Sequence, residues 1–367
     1  MGHVDPNNAV IHACRREVIL SHFIILNQTM AKFSFVSAPA FRFLSLVLSV
    51  LVGGVLGTLL LTLTFSRVDS DLIRSRMILA SLRTSSAEQP EIVVLGNSVA
   101  MNGIDGRRLS AALSGHPIVW NLSSVGQTPA EMLFILDELP ESVRSVVVSV
   151  LPSTLVQSPM EVPRNKMLAY FMYGFDPTEE TRQVLVENLA GKESEIVNMP
   201  QWRRSVESRW ITRAWIDTFV RGLVRKDLQL DRASTDLCFP RSYSGTLPQA
   251  TRQRLLELHL PRDAGQGTLS RNMGVVLETI LGDQSRQGRE ILLLVLPEHP
   301  HQRSITEPGF YNFLDRDLKS LAQLAGAGYL DLRSLLPETN FYDHIHTDEL
   351  GAEILTDALS DFHRRQK

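Results

Sequence analysis

The sequence predicts an α/β domain in three layers, α/β/α, with a central parallel sheet of about five strands, preceded by one transmembrane helix. Two observations carry this. Short apolar runs, "EIVVL", "PIVWNL", "VRSVVVSVL", "EILLLVL" and "GYLDL", alternate with helical stretches from Glu91 onward, interrupted by a mainly helical middle. Strands apolar at nearly every position, rather than every second one, are buried on both faces, as in a parallel sheet with helices on either side. The other observation is the uncharged segment "FLSLVLSVLVGGVLGTLLLTLTF" from Phe43 to Phe65. At about 1.5 Å rise per residue it is long enough to cross a hydrocarbon core of about 30 Å.

Taken in order, residues 1–42 form a cytoplasmic N-terminal segment, within which "MAKFSFVSAPAFRF" from Met30 has the basic start expected of a membrane signal, so Met30 is a candidate true start. Residues 43–65 are the anchor. Lys32 and Arg42 before it stand without nearby acids, whereas Arg67 after it is mixed with Asp69 and Asp71; this puts the N-terminal side in the cytoplasm and the rest outside, single-pass, the membrane being the inner (cytoplasmic) one if the cell is bacterial. Residues 66–90 read as a stalk and linker, with a mixed helical pattern from Asp69 to Leu82 that stands the domain off the bilayer.

The α/β domain then covers 91–367. Strands are expected at Ile92–Leu95, Pro117–Leu122, Val143–Leu151, within Glu290–Pro300 and at "GYLDL". Helices are expected from Asp105, from Thr128 to Leu139, from about Gly309 to Ala325 and from about Thr347 to Arg364. Residues from about 152 to 288 read as a helical insertion. Its aromatics Trp202, Trp210, Trp215 and Phe219 fit core packing, and Arg203, Arg204, Arg213 and Arg221 fit a solvated face.

Composition narrows the function. With 37 basic and 40 acidic residues and a net charge of −3, the chain lacks the basic, aromatic-laced tract that follows a phosphate backbone, so nucleic acid is not an expected partner. Cys14 and Cys238 are separated by the expected membrane span, which excludes a disulfide between them. Neither lies in a metal-ligand cluster, and no cofactor or metal is expected.

In open parallel sheets ligands bind at the carboxyl ends of the strands. The residues there are "GNS" (96–98), "NLSSVGQT" (121–128), "VLPSTLV" (150–156), "PEHP" (297–300) and "YDHIHTDELGA" (342–352). A serine hydroxyl needs a base to take its proton, and the base works best when a carboxylate fixes its tautomer. Asp343 and His346, three apart in a turn, supply that pair for Ser98, with His346 as base. His344 points elsewhere, and His299 is a reserve base. Backbone N–H groups of Ser98 and Gly126 are oxyanion donors, with Asn121 or Asn97 as side-chain donors. Glu298, His299 and Ser153 line the substrate. Read the other way, "HIHTD" has two histidines on one side that can hold a metal.

"GNS", "NLSSVG" and "DHIH" resemble, in order, the first, second and fifth blocks of the SGNH hydrolase superfamily, with Ser98, Gly126 and the Asp343-x-x-His346 pair matched. The resemblance covers about residues 91–151 and 290–364. It implies a flavodoxin-like three-layer fold and an acyl-serine intermediate. A single anchor with an extracytoplasmic domain is further similar to alginate-type O-acetyltransferase and D-alanyl transfer proteins. That implies a polysaccharide or acyl-ester substrate and a membrane-bound O-acyltransferase as partner. The chain departs from the family after the third strand, where "VLPSTLV" has no asparagine; that oxyanion donor is either missing or replaced by Ser153 or Thr154. A degenerate SGNH-like domain that binds glycan and serves as a scaffold is the alternative.

Overall fold

The computed structural model describes residues 71–84, 89–156, 162–189, 191–207, 236–240, 242–259, 268–306 and 309–366, with isolated helical positions between 45 and 53. The expected span from Phe43 to Phe65 otherwise lies outside them, as do Trp210, Trp215, Phe219, Arg213 and Arg221. Among the described residues no helix is long and apolar enough to cross a membrane.

Five parallel strands, β1 (Ile92–Leu95), β2 (Val119–Asn121), β3 (Ser145–Val150), β4 (Glu290–Val295) and β5 (Gly328–Asp331), form one sheet in the order β2-β1-β3-β4-β5. The even-spaced positions go to two different cores. Val93, Leu95, Val146, Val148, Ile291 and Leu293 face one, while Ile92, Val94, Val147, Leu292 and Leu294 face the other. This two-sided burial explains why the strands read as continuous apolar runs. The strand order reverses between β1 and β3, and in open parallel sheets ligands bind at the carboxyl ends of the strands at such a switch point.

Seven helices matter for the site: α1 (Asp71–Arg83), α2 (Ser98–Gly103), α3 (Gly106–Ala112), α4 (Pro129–Leu136), α5 (Arg164–Met172), α6 (Arg271–Arg286) and α7 (Glu349–Gln366). The smaller core packs α2, α3 and α7 on one face through Val99, Ala100, Leu109, Leu355 and Leu359. The larger one takes α1, α4, α5 and α6 on the other. Two sequence cues fix the start of α4: Thr128 caps it and exchanges hydrogen bonds with Glu131, and Pro129 sits in its first turn. The end of the expected insertion is α6, an ordinary crossover helix leading into β4.

Two expectations are corrected. The segment read as a stalk is the core helix α1, burying Ile78, Leu79 and Leu82 within the unit that runs from Ser66 to Lys367. The cause is Arg74, 2% exposed, whose guanidinium donates to the carbonyls of Ser123 and Asn121, each at 2.5 Å, and of Asp236 at 3.3 Å. A buried arginine amid apolar residues blurs the amphipathic pattern that marks a core helix. Trp202, read as core, is 69% exposed; its neighbour Arg204 instead lies over the Phe171 ring, 3.8 Å from the centroid.

Replacing Arg74 with methionine keeps apolar bulk but strands those carbonyls. Arg74→Met should lower stability by about 2 kcal/mol or more, measured as the urea midpoint; an unchanged midpoint would show that α1 does not depend on this contact.

Candidate active site

The turn after β1 is shaped by packing at Gly96. A Cβ on Gly96 would fall 1.9 Å from Ser149 Oγ and 2.6 Å from Ala100 Cβ, and Ser149 is itself held by a 2.6 Å bond to the Leu95 carbonyl. Only glycine lets α2 start this close to β3. Asn97 caps the helix, its Oδ1 accepting from Val99 N–H at 3.0 Å. Ser98 is the first residue of α2, half-buried, and its N–H makes no hydrogen bond among the described residues, as is usual at a helix start.

The loop after β2 closes on the same turn. Gly96 N–H donates to Gln127 Oε1 at 2.8 Å, and Ser124 N–H donates to the Gly96 carbonyl at 3.0 Å. Gly126 lies at the tip of this loop, exposed, with φ +58°, a left-handed conformation that glycine adopts without a Cβ penalty.

From the far end of the chain comes a tight turn. Tyr342 N–H donates to the His346 carbonyl at 2.8 Å, and Phe341 bridges Thr347. Inside it, Asp343 Oδ1 accepts the backbone N–H of Ile345 at 2.8 Å and of His346 at 2.7 Å. Its Oδ2 lies 2.7 Å from His346 Nδ1, and His346 Nε2 lies 2.9 Å from Ser98 Oγ. With Nδ1–H donating to the carboxylate, Nε2 is left as the acceptor for the serine proton. Burial pushes the Asp343 carboxyl up, but the His346 hydrogen bond, the charge that ring acquires on taking a proton, and the two backbone N–H groups outweigh it and hold it at about 2. Asp343 therefore stays ionised wherever His346 needs it.

The other candidates divide. The Asn121 side chain is fully buried and committed. It donates to the carbonyls of Ala100 at 2.9 Å and Ile104 at 2.8 Å and accepts from Ser123 N–H at 3.1 Å, so it fastens α2 to β2 and is no donor to a substrate. Asn97 Oδ1 serves the cap. Ser153 is half-buried in the turn Pro152–Leu155 after β3, and Thr154 Oγ1 donates to the Leu151 carbonyl at 2.8 Å, so Thr154 is occupied. Glu298 accepts from the Tyr311 hydroxyl at 2.6 Å, and burial raises its pKa. His299 is 2% exposed, its Nδ1 accepting from His301 N–H at 3.2 Å while burial depresses its pKa. It is the cap of the helix Pro300–Ile305, and Ser98 has His346 as its imidazole partner instead. His344 is buried beside Asp343, its Nδ1 3.9 Å from Oδ1. Among the described residues no group of three or more His, Cys, Asp or Glu is placed to hold a metal.

Three neighbours were not legible as site residues. Gln127 clasps Gly96, yet an amide one residue past "VG" carries no marked signal. Tyr243, from the insertion, stacks on Tyr342 with centroids 4.4 Å apart and lies 5.4 Å from the His346 ring. Lys166 reaches the β2 loop from α5, 41 residues away in sequence.

No family model matches the chain, and no curated protein matches it in sequence.

Two outcomes follow. Because the folded-state pKa of Asp343 is depressed, its stabilisation is fully present above the ordinary 3.8 and is lost as pH falls toward about 2. The difference in urea midpoint between the native chain and Asp343→Asn should therefore shrink over that window; a difference independent of pH would deny the pairing. Gly96→Ala, which sets a Cβ against Ser149 and Ala100, should lower the urea midpoint while leaving the circular dichroism α/β in character; an unchanged midpoint would show that the turn tolerates a side chain there.

Proposed function

We propose that the chain is a serine acyl-esterase or O-acyltransferase of the SGNH type. It is anchored by residues 43–65 in the cytoplasmic membrane and acts outside it on a cell-surface or secreted polysaccharide. The observation that supports this reading is the continuous chain Asp343–His346–Ser98, at 2.7 and 2.9 Å, at the carboxyl end of a five-strand parallel sheet in the order β2-β1-β3-β4-β5. The order of the triad along the chain and the Asp-x-x-His spacing agree with it.

In this reading Ser98 Oγ attacks the acyl carbonyl and His346 Nε2 takes the hydroxyl proton. The carbonyl oxygen becomes an oxyanion facing the N–H groups of Ser98 and Gly126. Collapse expels the alcohol, which leaves with the proton from His346. The acyl-Ser98 ester is then attacked by a sugar hydroxyl or by water, His346 acting again as base. No activated donor is expected outside the cytoplasm, so transfer calls for a membrane-bound O-acyltransferase partner. No cofactor takes part.

A second reading keeps the fold as a glycan-binding scaffold of an envelope acylation complex. It is favoured by the turn after β3, where Ser153 stands in place of an asparagine donor and Thr154 is occupied. Turnover of a chromogenic acetyl ester, with and without an oligosaccharide acceptor, separates the two. The enzymatic reading expects turnover that Ser98→Ala lowers by about 10³-fold or more. Equal turnover by the native chain and Ser98→Ala would favour the scaffold.

A further inference from the structure

A buried ion pair lies beneath the β2 loop, and the triad does not use it. Lys166 on α5 is 6% exposed and Glu131 on α4 is 0% exposed, with Nζ 2.8 Å from Oε1. Glu131 is fully engaged: its Oε2 accepts from Thr128 N–H at 2.9 Å, and its Oε1 also accepts from the Tyr170 hydroxyl at 3.1 Å. Among the described residues Lys166 has one other acceptor, the carbonyl of Val125, at 2.7 Å. Withdrawing both charges from water is costly, and packed apolar side chains of similar volume would serve stability as well or better. What methionine in place of Lys166 could not supply is a charged donor on the Val125 carbonyl.

That carbonyl belongs to the peptide whose N–H is Gly126. A trans peptide is planar, with C=O and N–H pointing in opposite directions, so holding the Val125 oxygen on one side aims the Gly126 N–H to the other. This N–H makes no hydrogen bond among the described residues. Gly126 has no side chain to anchor it, and a Cβ built there meets nothing within 4 Å. The loop is fastened on either side of it by Ser124 and Gln127 to Gly96. The orientation of the 125–126 peptide therefore rests on Lys166.

We propose that Lys166, held by Glu131, is a positioning residue that orients the Gly126 N–H toward the oxyanion formed when Ser98 attacks an acyl ester. Lys166 touches neither substrate nor Ser98; it acts through the Val125–Gly126 peptide. The inference rests on the reading of Ser98 as nucleophile. It gives the helical insertion, which carries α5, a part in the chemistry.

The test is the double variant Lys166→Met/Glu131→Gln. It leaves no unpaired buried charge; the glutamine oxygen keeps the capping-box bond from Thr128 N–H, and its NH2 donates to the Tyr170 hydroxyl oxygen in place of the bond that hydroxyl now gives. With a chromogenic acetyl ester, kcat should fall about 10- to 100-fold at unchanged KM, as for weakening of one oxyanion donor. Leu168→Ala, a core truncation on the same helix, controls for destabilisation and should keep kcat per folded molecule. Native kcat in the double variant, or an equal loss in Leu168→Ala, would overturn the proposal. A serine-reactive phosphonate separates this from the reading beneath it. If the native chain takes no phosphonate at Ser98, the nucleophile reading fails. If it does, and the double variant turns over like the native chain, only the positioning role fails.

Discussion

The structure depends on one imidazole. His346 is hydrogen-bonded through Nδ1 to Asp343 in its own turn and through Nε2 to Ser98, 248 residues earlier, so one ring ties the first strand's exit to the C-terminal helix's entry. Each side of that bridge is fixed independently. On one side, Gly96 packs without a Cβ against β3 while Asn97 caps α2; on the other, the Asp343 carboxylate gathers two backbone N–H groups into a closed turn. Neither turn would hold a serine and a histidine within hydrogen-bond reach unless the sheet set them side by side. The parallel direction of all five strands does this by bringing their exits to one edge.

Around that bridge the polar groups have divided tasks. Arg74 holds the backbone at Asn121 and Ser123, Asn121 holds the end of α2, Gln127 holds Gly96, and Lys166 holds Val125. Four side chains from three parts of the chain thus fix a single loop. Buried polar networks of this kind rigidify what they surround when every member is satisfied. A rigid loop keeps its free N–H groups in place before a substrate arrives, which is the physical content of a preorganised oxyanion site. The Tyr243–Tyr342 stack beside His346 brings the insertion over the same edge.

The sheet was legible because its strands are buried on both faces. Val93 and Val94 go to opposite cores and are both apolar, so "IVVL" could be nothing but a central strand or a short buried helix, and flanking turn residues decided which. The Asp343–His346 pair was legible because Asp-x-x-His is local in sequence. What remained hidden was contact across distance. Asn121 looked like a donor to substrate because it follows a strand, but its amide is committed to the carbonyls of α2, a pairing no spacing reveals. The helix of Arg74 was read as a stalk because one buried arginine, holding backbone carbonyls, looks in sequence like a surface residue. Lys166 in "RNKMLAYFM" stands two residues from Arg164 near a helix start and looks in sequence like a solvated position, while its partners Val125 and Glu131 precede β3 in the chain.

The central claim is that Ser98 is the nucleophile activated by His346. Intact mass after exposure to a serine-reactive phosphonate, followed by peptide mapping, tests it most directly. The account requires a single adduct on the peptide containing Ser98, absent from Ser98→Ala and strongly slowed in His346→Ala. An adduct that persists in Ser98→Ala, or that maps to another serine, would contradict it.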